Sequence, residues 1–232
     1  MRIHYKTFIG VLILFLSVNL YGQISVGAMA GFNFGRLAGD APDDSFYGAN
    51  PGFNAGLVLD IPVSNIIKLS LQPSFSQEGT KVFYYRFGEI ESFDSIQLRL
   101  NYLSVPLLVK VQSTNKHFYA LAGFEAGYLM NYDLKSNGES LSNQLNIADF
   151  NLAVHFGAGY RIFLGYPVLF IELRYAQGLI NLTDEPGGEG YIPRVKTTGF
   201  KAFVGIELPL SKPKKQESNE KSFIVISSVW FC

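Results

Sequence analysis

The sequence contains a single cysteine, Cys232, so it can form no internal disulfide and no cysteine-based metal site. It has only three histidines and one tryptophan. Lys+Arg and Asp+Glu both number 19, and this balance lacks the basic surplus of a general nucleic-acid binder. The apolar run near the N-terminus, Phe8 to Leu20, is 13 residues long and falls short of the ~20 that a membrane-crossing helix needs. Arg2 and Lys6 precede it and Gly22 follows it, so residues 1–22 read as a secretory signal peptide. No cysteine follows the run, which argues against a lipoprotein anchor there. What is plentiful is glycine, with 23 residues, and aromatics at 15%, a bias toward an all-β protein.

From residue 23 onward the chain alternates apolar and polar residues with period two, the signature of half-buried strands. Eight such segments are predicted: Ile24–Gly35, Gly52–Ile61, Ile67–Gly79, Ser95–Gln112, His117–Tyr132, Asp149–Phe163, Val168–Ile180 and Thr197–Leu210. Long connections (Arg36–Pro51, Thr80–Asp94, Asp133–Ala148, Asn181–Lys196) alternate strictly with short ones (Pro62–Ile66, Ser113–Lys116, Leu164–Pro167). Membrane barrels of the outer-membrane type combine short periplasmic turns with longer outer loops. An even strand count would place both termini in the periplasm. In the fourth segment Ile96, Leu98 and Leu100 share a phase, and from Leu103 the apolar phase flips, so a β-bulge is expected near Tyr102. Pro106 lacks an N–H and should sit where the ladder is already interrupted or at a sheet margin.

The two faces differ in content. Asp60, Glu78, Glu125, Asp149, Glu172 and Glu207 fall in the polar phase with Lys68, Arg99, Lys110, Arg161, Arg174 and Lys201, while the apolar phase is essentially free of charge. A lipid-facing Arg or Lys costs about 2–4 kcal/mol at the bilayer midplane, so a charge-free face suits lipid. Glycines crowd the polar phase, as they would on the inner side of a narrow barrel, whose interior at eight strands is just filled by side chains. The expectation is an all-β, eight-stranded antiparallel up-and-down transmembrane barrel over residues 23–210, after the signal peptide and before a charged linker and short apolar tail at 211–232. Its plugged interior would be crossed by ion pairs. A soluble barrel or sandwich is the competing arrangement; a lipocalin-like cup would invert the polarity. Phe34, Phe75, Tyr128, Tyr132, Tyr160, Phe163, Tyr166, Tyr175 and Phe200 could form two interfacial girdles.

The segments "VGAMAGFNFGRL", "LSLQPSFSQEGTK", "NYLSVPLLVKV", "FYALAGFEAGYLMNY", "DFNLAVHFGAGYRI" and "LFIELRYAQGLINL" resemble successive strands of the PorT-like outer-membrane β-barrel family. The resemblance covers Ile24 to Leu210. It implies a barrel in the outer membrane of a Gram-negative cell. PorT itself is associated with export through the type IX secretion apparatus, and most relatives have no assigned activity. The family is not defined by a catalytic motif. The resemblance therefore implies no cofactor and no catalytic, cofactor-binding or metal residue.

Chemistry is sparse in the residues themselves. His155 lies mid-strand, where with Ser25 or Ser70 and an interior carboxylate it could be imagined as a hydrolase base, but a plugged barrel gives little access. His117 falls at a short turn, no metal-ligand spacing occurs, and "DEPGGEGY" at 184–191 matches neither an EF-hand nor a P-loop. The residues expected to matter are a structural interior network: Lys68, Glu78, Arg99, Lys110, Glu125, Asp149, His155, Arg161, Glu172, Arg174, Lys201 and Glu207. The expected role is non-enzymatic: a scaffold, a secretion accessory or a surface binder acting through the long loops. A lipid- or peptide-modifying enzyme and a small-solute pore are the alternatives. The expected partners are outer-membrane lipid and other envelope or secretion proteins, with no nucleic acid.

Overall fold

The computed structural model describes residues 23–39, 45–85, 93–136, 139–140, 147–182 and 195–210. The leader at 1–22, the tail at 211–232 and the 184–191 loop lie outside the described residues. Ten antiparallel strands follow one another: β1 (Ser25–Gly39), β2 (Ser45–Pro62), β3 (Ile67–Leu71), β4 (Ser74–Tyr85), β5 (Phe93–Gln112), β6 (Phe118–Ser136), β7 (Glu139–Ser140), β8 (Phe150–Phe163), β9 (Val168–Gly178) and β10 (Val195–Pro209). β3 and β4 are two pieces of one wall position between β2 and β5, and the two-residue β7 only extends the edge of β6. The ring therefore has eight positions. It closes where β1 pairs with β10, from Ser25↔Pro209 to Gly39↔Val195, so each of the eight positions has a strand neighbour on both sides.

Period-two alternation decides which residues face outward. Phe32, Leu57, Leu107, Phe124, Phe156, Leu173 and Val204 are exposed on the outer wall, while strand neighbours such as Asn33, Val58, Leu108, Glu125, His155, Glu172 and Phe203 are buried inside. From Ile24, just before β1, to Phe34 the outward row carries no charge. At about 3.3 Å per residue and a tilt of about 40°, that row climbs roughly 25 Å, the height of an apolar membrane band. Aromatic pairs mark both margins. Phe53–Phe75, Tyr128–Phe150 and Tyr175–Phe200 lie toward the long connections, and Phe118–Tyr160 with His117–Phe163 toward the short turns. Tyr132, expected in a girdle, instead packs against a buried apolar cluster.

Pro106 faces the break between β3 and β4. Gln72 N–H donates to the Pro106 carbonyl, and Pro73 follows Gln72 at the break between β3 and β4. A strand residue's N–H and C=O point to the same side, so the donor that Pro106 lacks faces a ladder already broken. The expected bulge is found on the β5–β6 ladder between Asn101 and Tyr102, but the extra residue is Met130 on β6. β5 itself keeps its phase: Leu100, Tyr102, Ser104 and Leu108 are all buried.

That continuity corrects the expected phase flip. Beyond the girdle the wall reverses polarity. Leu100, Tyr102, Leu129 and Leu182 pack inside as an apolar plug, with the partly buried Leu37, Leu98, Tyr132 and Ile147 against it. Gln97, Arg99, Asp133 and Lys135 line a small depression on the other face. Above the bilayer the outer surface meets water, so polar residues turn outward. For the same reason the strands run further than simple alternation marked. β2 starts at Ser45 and β4 ends at Tyr85, inside segments read as long connections.

Candidate functional site

The interior polar phase of β2 to β10 builds a salt-bridged lattice of two clusters. At its base, Asp60 on β2 accepts hydrogen bonds from Ser70 Oγ on β3, from Lys110 Nζ on β5 (3.3 Å) and from Arg161 Nη2 on β8 (2.9 Å). Arg161 Nη2 also donates to Glu207 on β10 at 2.8 Å. Lys110 Nζ reaches on to Glu172 Oε1 on β9 at 3.1 Å. Glu172 accepts from Tyr119 OH at 2.6 Å and from Arg174 Nε at 2.8 Å, and also pairs with Arg174 Nη2. The same guanidinium donates to Gln72 Oε1. Nearer the long connections, Lys201 Nζ lies 2.9 Å from Glu78 and 3.0 Å from Glu125.

The lattice is electrically balanced as a whole, its lower cluster one base in excess and its upper cluster one acid in excess. Five acids (Asp60, Glu78, Glu125, Glu172, Glu207) face five bases (Lys68, Lys110, Arg161, Arg174, Lys201). Balance matters because a buried charge without a partner is far costlier than a buried pair. Register alone would work against it. Lys68 sits directly opposite Lys110, and Arg174 opposite Lys201, and like charges in such pairs repel. Acids reaching across the lumen offset this: Glu172 covers Lys110 and Glu125 covers Lys201. Rings help as well: Lys110 lies 5.3 Å from the Tyr119 centroid and 5.5 Å from Phe170, and Arg174 stacks 4.4 Å from Phe203.

Small residues make room for these long side chains. A Cβ at Gly159 would collide with the Tyr119 ring, and one at Gly123 with the Leu107 carbonyl oxygen. Met29, Val58, Phe170 and Phe203 fill what is left of the middle of the lumen.

Of the residues singled out from sequence, the lattice brings together Lys68, Glu78, Lys110, Glu125, Arg161, Glu172, Arg174, Lys201 and Glu207. Lys68 is at its margin, 3.9 Å from Asp60. His155 is fully buried, with Nε2 3.3 Å from Glu125, but neither ring nitrogen makes a hydrogen bond. No hydroxyl is therefore held against it as a nucleophile. Arg99 is apart, on the outward polar extension with Asp133 and Lys135. Asp149 is also apart, exposed at the start of β8, where its carbonyl accepts from Leu129 N–H. Sequence reasoning placed Asp60 on the polar face but left it out of the network, where it is a hub; it named Ser70 only as a conceivable nucleophile beside His155, and Tyr119 and Gln72 were not expected in the network. The signal was the phase: each lies in step with the polar residues of its own strand. Among the described residues, no three His, Cys, Asp or Glu side chains are grouped to hold a metal ion.

Comparison with known proteins gives one family match: the family described as "Outer membrane protein beta-barrel domain" matches residues 17–184. No curated protein matches the chain. Among solved structures, it is similar to Ail of Yersinia pestis, with 17% identity over 81% of this chain and 100% of that one, at a TM-score of 0.44. It is also similar to OprG of Pseudomonas aeruginosa (11% identity, 83% and 97% covered, TM-score 0.42). Neisserial surface protein A is a third (12% identity, 80% and 96% covered, TM-score 0.38). All three TM-scores mark distant likenesses.

Proposed function

The chain belongs to the outer-membrane β-barrel domain family, and on that premise we propose that it is a non-enzymatic barrel, closed to solutes, that presents its long connections to other envelope components. The observation that carries this reading is the filled lumen. Asp60, Arg161, Glu207, Lys110, Glu172 and Arg174 link side chains from five strands across the interior, and Phe170 and Phe203 occupy the space between them. A water-filled pore would need that space empty.

The wider reading rests on chain organisation. A leader over 1–22 delivers the chain to the periplasm, both ends of the barrel chain stay there, and the long connections face outward as the binding surface. Residues 211–232 form a charged linker and short apolar tail on the periplasmic side. PorT-like membership makes assistance to protein export through a type IX apparatus the specific form of this role.

Planar-bilayer recording of the refolded protein tests the closed lumen: no steady conductance is expected, and stable unitary channels would overturn it. Deleting the chain should reduce export of secreted proteins; unchanged export would remove the secretion role and leave surface binding. A lipid- or peptide-modifying activity abolished by His155→Ala would refute the non-enzymatic reading.

A further inference from the structure

At the end with the short turns the lumen opens into a cavity of about 360 Å³, lined in part by Ser25, Lys68, Gln112, Lys116, Arg161 and Glu207. Three features set this vestibule apart from the lattice beneath it. Its lining carries three cations, Lys68, Lys116 and Arg161, against one acid, Glu207. Lys68 has its ion-pair partner, Asp60, at 3.9 Å, beyond hydrogen-bond reach, so its ammonium donors remain unspent. And three lining residues buried to more than nine-tenths keep a polar atom with no partner: Ser25 Oγ, Gln112 Nε2 and Arg161 Nε.

The kind of unmet group is informative. Gln112 Nε2 and Arg161 Nε can only donate, and a serine hydroxyl donates as readily as it accepts. Further up the barrel the unmet atoms include acceptors, such as Asn54 Oδ1 and Asn151 Oδ1. Buried donors left unpaired are costly, and a net positive lining adds to that cost. Both are relieved by one thing, an acceptor-rich anion.

We propose that this vestibule binds a small ligand bearing a phosphate or carboxylate group. Lys68 and Lys116 supply the attracting charge, and small side-chain rotations bring the Arg161, Gln112 and Ser25 donors to the anion's oxygens. The volume lies at the small end of ligand sites, roughly 300–1,000 Å³, and so fits a single headgroup-sized molecule. The floor is the Asp60–Arg161–Glu207 cluster, which stops the ligand from passing further. This site is separate from the proposed surface-binding role and stands or falls independently of it.

The test uses the full chain, ¹⁵N-labelled and refolded in a neutral detergent. The Arg161 Nε–H and Gln112 side-chain resonances are followed while inorganic phosphate, glycerol 3-phosphate or acetate replaces chloride at constant ionic strength. Saturable shifts are expected with at least one of the three anions. Gln112→Leu and Lys68→Met should each weaken binding about tenfold or more. A second arm places the protein in bilayer discs of phosphatidylglycerol or phosphatidylcholine without added phosphate. Shifts confined to phosphatidylglycerol assign the site to a lipid headgroup, and shifts with the soluble anions assign it to a free ligand. If neither arm moves the two resonances, the donors are met by water alone and the proposal fails. It fails equally if both variants fold and bind as wild type. Should the variants not fold, the wild-type titration decides by itself.

Discussion

Replacing Glu172 with alanine removes the acid that three donors share. Lys110 would keep Asp60 at 3.2 Å and Glu207 at 3.8 Å, so its charge stays covered. Arg174 would keep only the neutral Gln72 and its stack on Phe203, and Tyr119 OH would lose its acceptor. Four acids would then face five bases in a closed lumen. Breaking a buried pair by removing one partner costs about 3–5 kcal/mol, and the orphaned Tyr119 hydroxyl overlaps with that cost rather than adding fully to it. A loss of about 4 kcal/mol is therefore expected. It is measured by reversible urea unfolding of the refolded protein in detergent or vesicles, followed by far-UV circular dichroism and by gel heat-modifiability. The double variant Glu172→Ala/Arg174→Ala restores neutrality, so it should cost less than the sum of its parts by about 1–3 kcal/mol. Glu139→Ala, on an exposed residue, is the control and should stay within about 0.5 kcal/mol. If Glu172→Ala and Arg174→Ala both unfolded with the control, the lattice would be decoration and the reasoning about it would collapse.

Other perturbations probe the wall and the lumen separately. Leu107→Arg puts a charge in the middle of the outer apolar belt and should cost about 2–4 kcal/mol in the same unfolding assay in vesicles, and far less in detergent micelles that can deform around it. Gly159→Ala should cost about 1–3 kcal/mol by crowding the Tyr119 ring, and most of that penalty should vanish in a Tyr119→Ala background. Arg99→Ala should shift stability by no more than about 0.5 kcal/mol, because Arg99 lies on the outward polar extension. Arg161→Ala, which strips Asp60 and Glu207 of a shared donor, should cost several times as much when the two are compared by urea midpoint.

The residues readable in advance were those whose environment is set by their nearest neighbours in the chain. Leu103, Val105, Leu107 and Val109 alternate with Ser104, Pro106, Leu108 and Lys110, and their outward and inward placement follows. Reading failed where the surroundings change along the strand. Ile96, Leu98 and Leu100 look like a continuation of the lipid-facing row, yet Leu98 and Leu100 pack inside, because beyond the girdle the outer medium is water. The one-residue slip was legible near Tyr102, but the strand that carries it was not: either partner of a ladder can supply the extra residue, and here it is Met130.

The sequence by itself determined the wall: eight runs of alternating polarity and a face without charge. These depend on period two, a local property of a pleated chain. Only the tertiary structure decided who meets whom inside. Lys68 and Lys110 face each other by register, as do Arg174 and Lys201; Glu172 covers Lys110 and Glu125 covers Lys201 from distant strands, while Arg174 takes Glu172 of its own strand and Lys68 takes Asp60 of the neighbouring one. Coulomb attraction acts through space rather than along the chain, so those partnerships come into being when β1 meets β10 and the lumen closes.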